Sequence, residues 1–274
     1  MIIEPFRQED IPGFLEMAHS EGWIAEKWEF VFLLQAFPDG CFTARNREGA
    51  VQGYVTSIRY SRSGWIGNLI VREGMRGRGI GKMLFREALG ALRSAGVVTC
   101  WLTASPSGKA LYEKNGFTAI DTVIRWCGAG RQRHGGHGVD PYDPDSCLSV
   151  GGIDQLVWGD RRDRLMRAVT ERGTVLRGDS AFLVLQPGRD GCQLGPFSAL
   201  ESGPAGRLFD AALAAVPSGG KLFLDAPLAN RAATRMYRRA GLVSSGSAEL
   251  MYAGMKPDYR PEMLFGLATM GSCG

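Results

Sequence analysis

Apolar residues recur at helical spacing twice near the start of the chain, at Ile11, Phe14, Leu15 and Ala18 and again at Phe30, Leu33, Leu34 and Phe37, predicting two short helices. Strand-like runs follow over 41–45 and 51–60, and Asn46 and Gly49 between them suit the turn of an antiparallel hairpin. The run WIGNLIV, 65–71, reads as a further strand. It ends at REGMRGRGIGK, which opens a helix with Ile80, Met83, Leu84, Ala88, Ala91 and Leu92 on one face. A buried strand over 97–102 comes next. A short helix over 109–114 follows, closed by Gly116 where a left-handed cap is expected. Strand-like pieces near 117–120 and 123–127 complete an α/β unit, α+β in detail, with a mixed sheet.

Residues 129–152 break the pattern. GAGRQRHGGHGVDPYDPDS is rich in Gly, Pro, Asp and Arg and has no apolar period, so it reads as a linker. Beyond it the pattern predicts a helix over 156–169, strand over 175–186, helix over 206–216, strand over 221–224, helix over 231–239 and an extended tail. The order echoes the first half. Ala110-Leu111-Tyr112-Glu113-Lys114-Asn115-Gly116-Phe117 lines up with Arg235-Met236-Tyr237-Arg238-Arg239-Ala240-Gly241-Leu242, with Tyr and Gly at matching offsets. Two domains are therefore expected, 1–128 and 153–274.

Composition narrows the function classes. A net charge of +4 over 274 residues falls short of a nucleic-acid-binding stripe, and Arg131 and Arg133 lack interleaved aromatics, so no nucleic-acid partner is expected. No apolar run approaches the roughly 20 residues of a membrane span, and the acidic MIIEPFRQED is unlike a secretory signal, so a cytoplasmic protein without membrane association is expected. The six cysteines are scattered and read as buried thiols. His134 and His137 read as linker residues and no metal is expected.

The chemistry lies at Arg76-Gly77-Arg78-Gly79-Ile80-Gly81. Glycines between a strand and a helix expose consecutive amides to the positive end of the helix dipole, a site for a diphosphate. A Walker A loop is excluded because Met83 follows Gly81-Lys82, and GxGxxG fails in both registers, ending at Lys82 or Leu84. The segment does match R/Q-x-x-G-x-G/A, read as Arg76, Gly79 and Gly81. With the preceding strand, the long helix, the next strand and Leu-Tyr-Glu-Lys-Asn-Gly-Phe, residues 60–120 resemble the GNAT acetyltransferases. The resemblance implies acetyl-CoA as the cofactor, with the backbone of Leu69, Ile70 and Val71 on its pantetheine arm. Arg76, Gly77, Arg78, Gly79, Ile80, Gly81 and Lys82 would hold the pyrophosphate, with Ser105 and Lys109 as further coenzyme contacts. Tyr112 would be the acid near the sulfur. Ser105 stands where many family members carry Asn.

The second half, with Asn230-x-x-Ala233-x-x-Met236-Tyr237, resembles a divergent GNAT-like domain of the YitH type. Leu200, Gly203 and Ala205 replace the loop residues and Pro204 removes an amide, so tandem GNAT folds are expected, the first with an intact coenzyme A motif and the second degenerate. Trp23 and Trp28 flank Glu21, Glu26 and Glu29 where this fold places its acceptor helices. They either line an amine pocket, with a glutamate acting through water as general base, or form helix core and solvated face. Trp23, Glu26, Trp28 and Tyr237 are the candidate acceptor contacts. The expected activity is acetyl transfer to a primary amine, most simply of a small molecule, at a site between the two halves. The alternative is a coenzyme A-binding regulatory module with little turnover.

Overall fold

A computed structural model describes residues 1–131 and 149–274. The first half contributes β1 (Ile2–Pro5), α1 (Ile11–Ser20), α2 (Lys27–Ala36), β2 (Phe42–Arg45), β3 (Val51–Arg59), β4 (Ser63–Val71), α3 (Ile80–Ser94), β5 (Thr99–Ala104), α4 (Lys109–Glu113) and β6 (Thr118–Ala129). The second contributes α5 (Val150–Trp158), α6 (Asp163–Arg172), β7 (Thr174–Gly178), β8 (Ala181–Gly188), β9 (Gly191–Ala199), α7 (Ser202–Ala215), β10 (Lys221–Pro227), α8 (Arg231–Arg239), β11 (Val243–Gly254) and β12 (Leu264–Gly266).

All strands of the described residues join one sheet in the order β1-β2-β3-β4-β5-β11-β6-β10-β9-β8-β7, with β12 on β9. The halves exchange their last long strands: β11 lies between β5 and β6, and β6 between β11 and β10. The antiparallel β6–β11 pair is symmetric under the repeat, since the shift that carries Gly116 onto Gly241 converts the pair Thr118–Tyr252 into Val243–Cys127. Three apolar clusters follow. One lies under α3 and α4, with Leu84, Phe85 and Tyr112. Another lies under α7 and α8, with Phe209 and Tyr237. The third is shared, joining Phe14 and Phe30 of α1 and α2 to Trp158 of α5 and Leu165 of α6.

Several elements depart from the periodicity reading. The pieces at 117–120 and 123–127 are one strand, because Asp121, the polar break between them, accepts the Thr122 and Ala229 amides while β10 and β11 pair both edges. The helix expected over 156–169 is two helices. Gly159 interrupts it at φ 83, pressed so closely on the Asp258 backbone that a Cβ would lie 2.3 Å from its carbonyl oxygen. The run at 175–186 is a hairpin of β7 and β8, and β9 was not expected at all. Cys41, Cys100 and Cys273 are buried free thiols, and Cys127 and Cys192 are half-buried. His134 and His137 lie outside the described residues. Among the described residues no helix is long and apolar enough to cross a membrane.

Candidate active site

Strands β4 and β5 run parallel and pair only at Ser63–Thr99, Gly64–Cys100 and Trp65–Trp101. Beyond Trp65 they diverge. On the other edge of β4 a bulge sets Asn68 and Leu69 opposite the single residue Val55, with Asn68 at φ 55, a conformation Asn tolerates better than most residues. The bulge lies level with the widening gap, on the stretch of β4 that carries Leu69, Ile70 and Val71, the residues expected to meet the pantetheine arm.

At the open end of the gap, Gly77 and Gly79 adopt φ 74 and 82, and nothing lies within 4 Å of where a Cβ would be at either. The Met83 amide makes the first bond of α3, to the Gly79 carbonyl, leaving the amides before it free for an anion. Arg76 hydrogen-bonds the Val71 carbonyl through Nε at 3.0 Å and forms an ion pair with Glu21 through Nη2. Residues 76–82, expected to cradle a pyrophosphate, lie beside the gap. Tyr112 is buried against Phe85 and Phe117, and burial lifts its phenol to about 12, so it stays protonated at any working pH. Ser105 accepts the Gly108 amide and bonds Ser107 in the turn before α4, and Lys109 lies 3.9 Å from Glu249 of β11.

The four candidate acceptor contacts are not brought together. Trp23 is exposed. Glu26 caps α2 and accepts the Arg189 amide, tying α2 to the second half. Trp28 lies under the Arg172 guanidinium at 4.5 Å, on the groove between α2 and α6. Tyr237 is fully buried and donates its hydroxyl to the Phe265 carbonyl.

That last bond explains the second half. Strands β9 and β10 also pair only at their start, at Cys192–Leu222 and Gln193–Phe223, and β9 carries the matching bulge, with Gly195 and Pro196 opposite Val184. Here the gap is filled by the chain itself. β12 pairs with β9 at Leu264–Ser198 and Gly266–Phe197, and the Leu267 amide donates to Asp225 of β10. The slot equivalent to the open one in the first half is occupied by backbone.

From there residues 268–274 run back to the first half. Gln186 and Gln193 donate to the Ala268 carbonyl, Trp65 donates to Gly271 and Tyr60 to Cys273. The tail presses on Gly67 of β4, where a Cβ would be 2.5 Å from the Ser272 carbonyl oxygen, and Ser272 donates its hydroxyl to Asn68 Oδ1. Behind Ser272 stands Glu29, 4% exposed. Its Oε1 accepts the Glu26 amide while Oε2 has no hydrogen bond of good geometry. Burial lifts this carboxyl to about 7, against the opposing pull of the nearby Ser272 hydroxyl. Neither Asn68 nor the tail was singled out from the sequence. An Asn inside an otherwise apolar strand was the available signal for the bulge, whereas the tail's place depends on contacts no local pattern encodes.

Comparison with known proteins agrees with this architecture. Residues 38–119 match one family described as an acetyltransferase (GNAT) domain, and residues 150–266 match a second with the same description. A holothin acyltransferase from Pseudoalteromonas sp. (strain SANK 73390) is 25% identical over 268 residues, covering 92% of this chain and 89% of the relative. A crystal structure of a candidate acetyltransferase from Pyrococcus horikoshii superposes with a TM-score of 0.83 at 23% identity, over 97% of this chain and 93% of that one. A GCN5-related N-acetyltransferase from Sphaerobacter thermophilus gives 0.66 at 16% identity, over 96% and 98%.

Proposed function

The chain belongs to the GNAT acetyltransferases, with two such domains in tandem and acyl transfer as its activity, and from that premise we propose that it moves an acetyl group from acetyl-CoA to a primary amine of a small molecule. The observation that carries the assignment of the donor site is the difference between the two gaps: β4–β5 has free amides at its mouth, while β9–β10 is filled by β12. The first half fits coenzyme A on its own geometry, with unobstructed space at Gly77 and Gly79. In this reading the amides of 77–82 hold the pyrophosphate and Leu69 to Val71 hold the arm. When bound, the thioester supplies an activated acyl group.

The amine approaches from the face of β4 covered by α1, α2 and the tail, so its site is formed by both halves. The bulge at Asn68 and Leu69 supplies backbone donors for the oxyanion that develops at the acyl carbon. Tyr112 donates a hydrogen bond to the sulfur as it gains charge. Glu29, whose raised affinity for a proton suits a base near neutrality, receives the amine's proton through the Ser272 hydroxyl or an intervening water, each of which takes one proton as it passes another on to the carboxylate. Holding both reactants on one strand supplies much of the remaining rate.

A thermal-shift titration with acetyl-CoA tests the donor site. A rise in melting temperature in the wild type that disappears when Gly79 and Gly81 are replaced by Val supports it, since a ligand bound only by the native state stabilises by mass action. No shift in a folded wild-type protein overturns it.

A further inference from the structure

A cavity of about 570 Å³ opens between α1 and the outer ends of β3 and β4, a size that suits a small molecule. Tyr54 and Ile70 are cross-strand partners with side chains in the α1–α2 core, whereas Leu69 and Val71 pack toward α3. The cavity therefore lies on the α1–α2 face of β4, the acceptor side, with Glu21 on its rim paired to Arg76 of the glycine loop, and it reaches Ile70, two residues from the bulge at Asn68.

Two independent features of its wall point to the same kind of ligand. Tyr54 is 2% exposed, with its ring edge-on to Phe6 and Phe14. Its hydroxyl lines the cavity beside Gly13, where a Cβ would come within 2.7 Å of it, and makes no hydrogen bond among the described residues. Open to the cavity and bonded to no side chain or backbone group among the described residues, the hydroxyl is available to a ligand as its partner. The phenol is held up at about 12, chiefly by burial, with Asp10 adding to it, Arg45 and Arg72 opposing and Glu16 adding a little, so the oxygen remains a neutral acceptor as well as a donor. The second feature is charge. Glu16, Glu21 and Glu73 line the cavity against Arg72, whose Nε is turned to the Val51 carbonyl. Glu21 is paired with Arg76, but Glu16 and Glu73 form no ion pair among the described residues.

We infer that this cavity is the subsite for the part of the acceptor remote from its reacting amine, and that this part is a cation. The acceptor is then a diamine, or an amine with a second positively charged group. Its ammonium N–H donates to the Tyr54 hydroxyl and is attracted by Glu16 and Glu73, while the apolar segment between its two nitrogens lies over Ile70. The inference rests on the acyl-transfer reading, and the following experiment separates the two.

Initial rates are measured with acetyl-CoA and two acceptor series, straight-chain α,ω-diamines and n-alkylamines of the same lengths, on the wild type, the double variant Glu16→Gln/Glu73→Gln, and Tyr54→Phe. The expected result is a wild-type preference in kcat/KM for the diamine that falls about tenfold in the double variant and about threefold or more in Tyr54→Phe, through KM for the diamine. Glu16→Lys should invert the preference. Transfer to both series with equal kcat/KM, or a preference unmoved by the substitutions, overturns the cationic subsite and leaves acyl transfer standing. No transfer to any amine by a protein that still binds acetyl-CoA overturns the amine-transfer reading, and the inference with it.

Discussion

Replacing Glu29 with Gln should stabilise the protein at alkaline pH while slowing it as an enzyme. In the folded chain, burial lifts this carboxyl from 4.5 to about 7. Between those values the unfolded chain has released the proton and the folded chain keeps it. A group raised in this way contributes its stability in full below 4.5 and loses it as pH climbs through about 7. At about 1.4 kcal/mol for each pH unit, the interval amounts to about 3 kcal/mol. Gln at 29 keeps an oxygen for the Glu26 amide and replaces the unpartnered oxygen with a neutral group. Urea unfolding followed by tryptophan fluorescence, in steps from about pH 4 to pH 8, reads the effect as the difference between the two proteins, which cancels other titrating groups such as Asp121. The variant should gain on the wild type across this range, reaching about 3 kcal/mol at the alkaline end. Parallel curves would refute the reasoning, since they would mean that the carboxyl keeps the same proton affinity in both states. The same substitution should lower kcat at neutral pH, a trade of activity for stability expected where a buried charge serves chemistry.

Tyr112→Phe should lower kcat about a hundredfold while the acetyl-CoA-induced thermal shift persists; an unchanged kcat would remove the hydroxyl from the mechanism. Tyr237→Phe strands the Phe265 carbonyl in the second core and should cost about 1–3 kcal/mol in urea unfolding, with an unaltered midpoint counting against the role given to that bond. Gly67→Ala sets a Cβ against the Ser272 carbonyl and should loosen the tail. Faster hydrogen exchange at the Cys273 amide, now bonded to Thr269 Oγ1 at 2.8 Å, is the readout, and unchanged protection would show that the tail yields without detaching.

The proposed donor side draws on signals that are local. Arg76 to Lys82 announce themselves by glycines at the start of an amphipathic helix, and Tyr112 by its short helix and Gly116. The tandem organisation was legible too, since Tyr237 and Gly241 repeat Tyr112 and Gly116 at one offset. The acceptor side was not, because it is assembled from distant segments. Trp28 and Glu26 have the composition of a binding pocket but face the second half, under Arg172 and against Arg189. Glu29 could be named only as one of three nearby glutamates, since periodicity does not reveal which of them the tail buries. Asp121 and Thr122 read as a break between two strand pieces and are strand, because Asp121 accepts the Ala229 amide and the Thr122 carbonyl the Leu228 amide of the neighbouring loop.

The exchange of β6 and β11 bears on how the molecule comes into being. During synthesis the first half emerges with β5 lacking the neighbour that will cover its edge, because that strand is among the last to be made. An exposed, apolar edge of this kind invites pairing with another nascent chain. The same geometry makes the finished protein act as a two-fold dimer whose subunits have been joined. Cutting the segment between Arg131 and Ser149 should yield two fragments that elute together and separate only on denaturation, each having lent the other a strand.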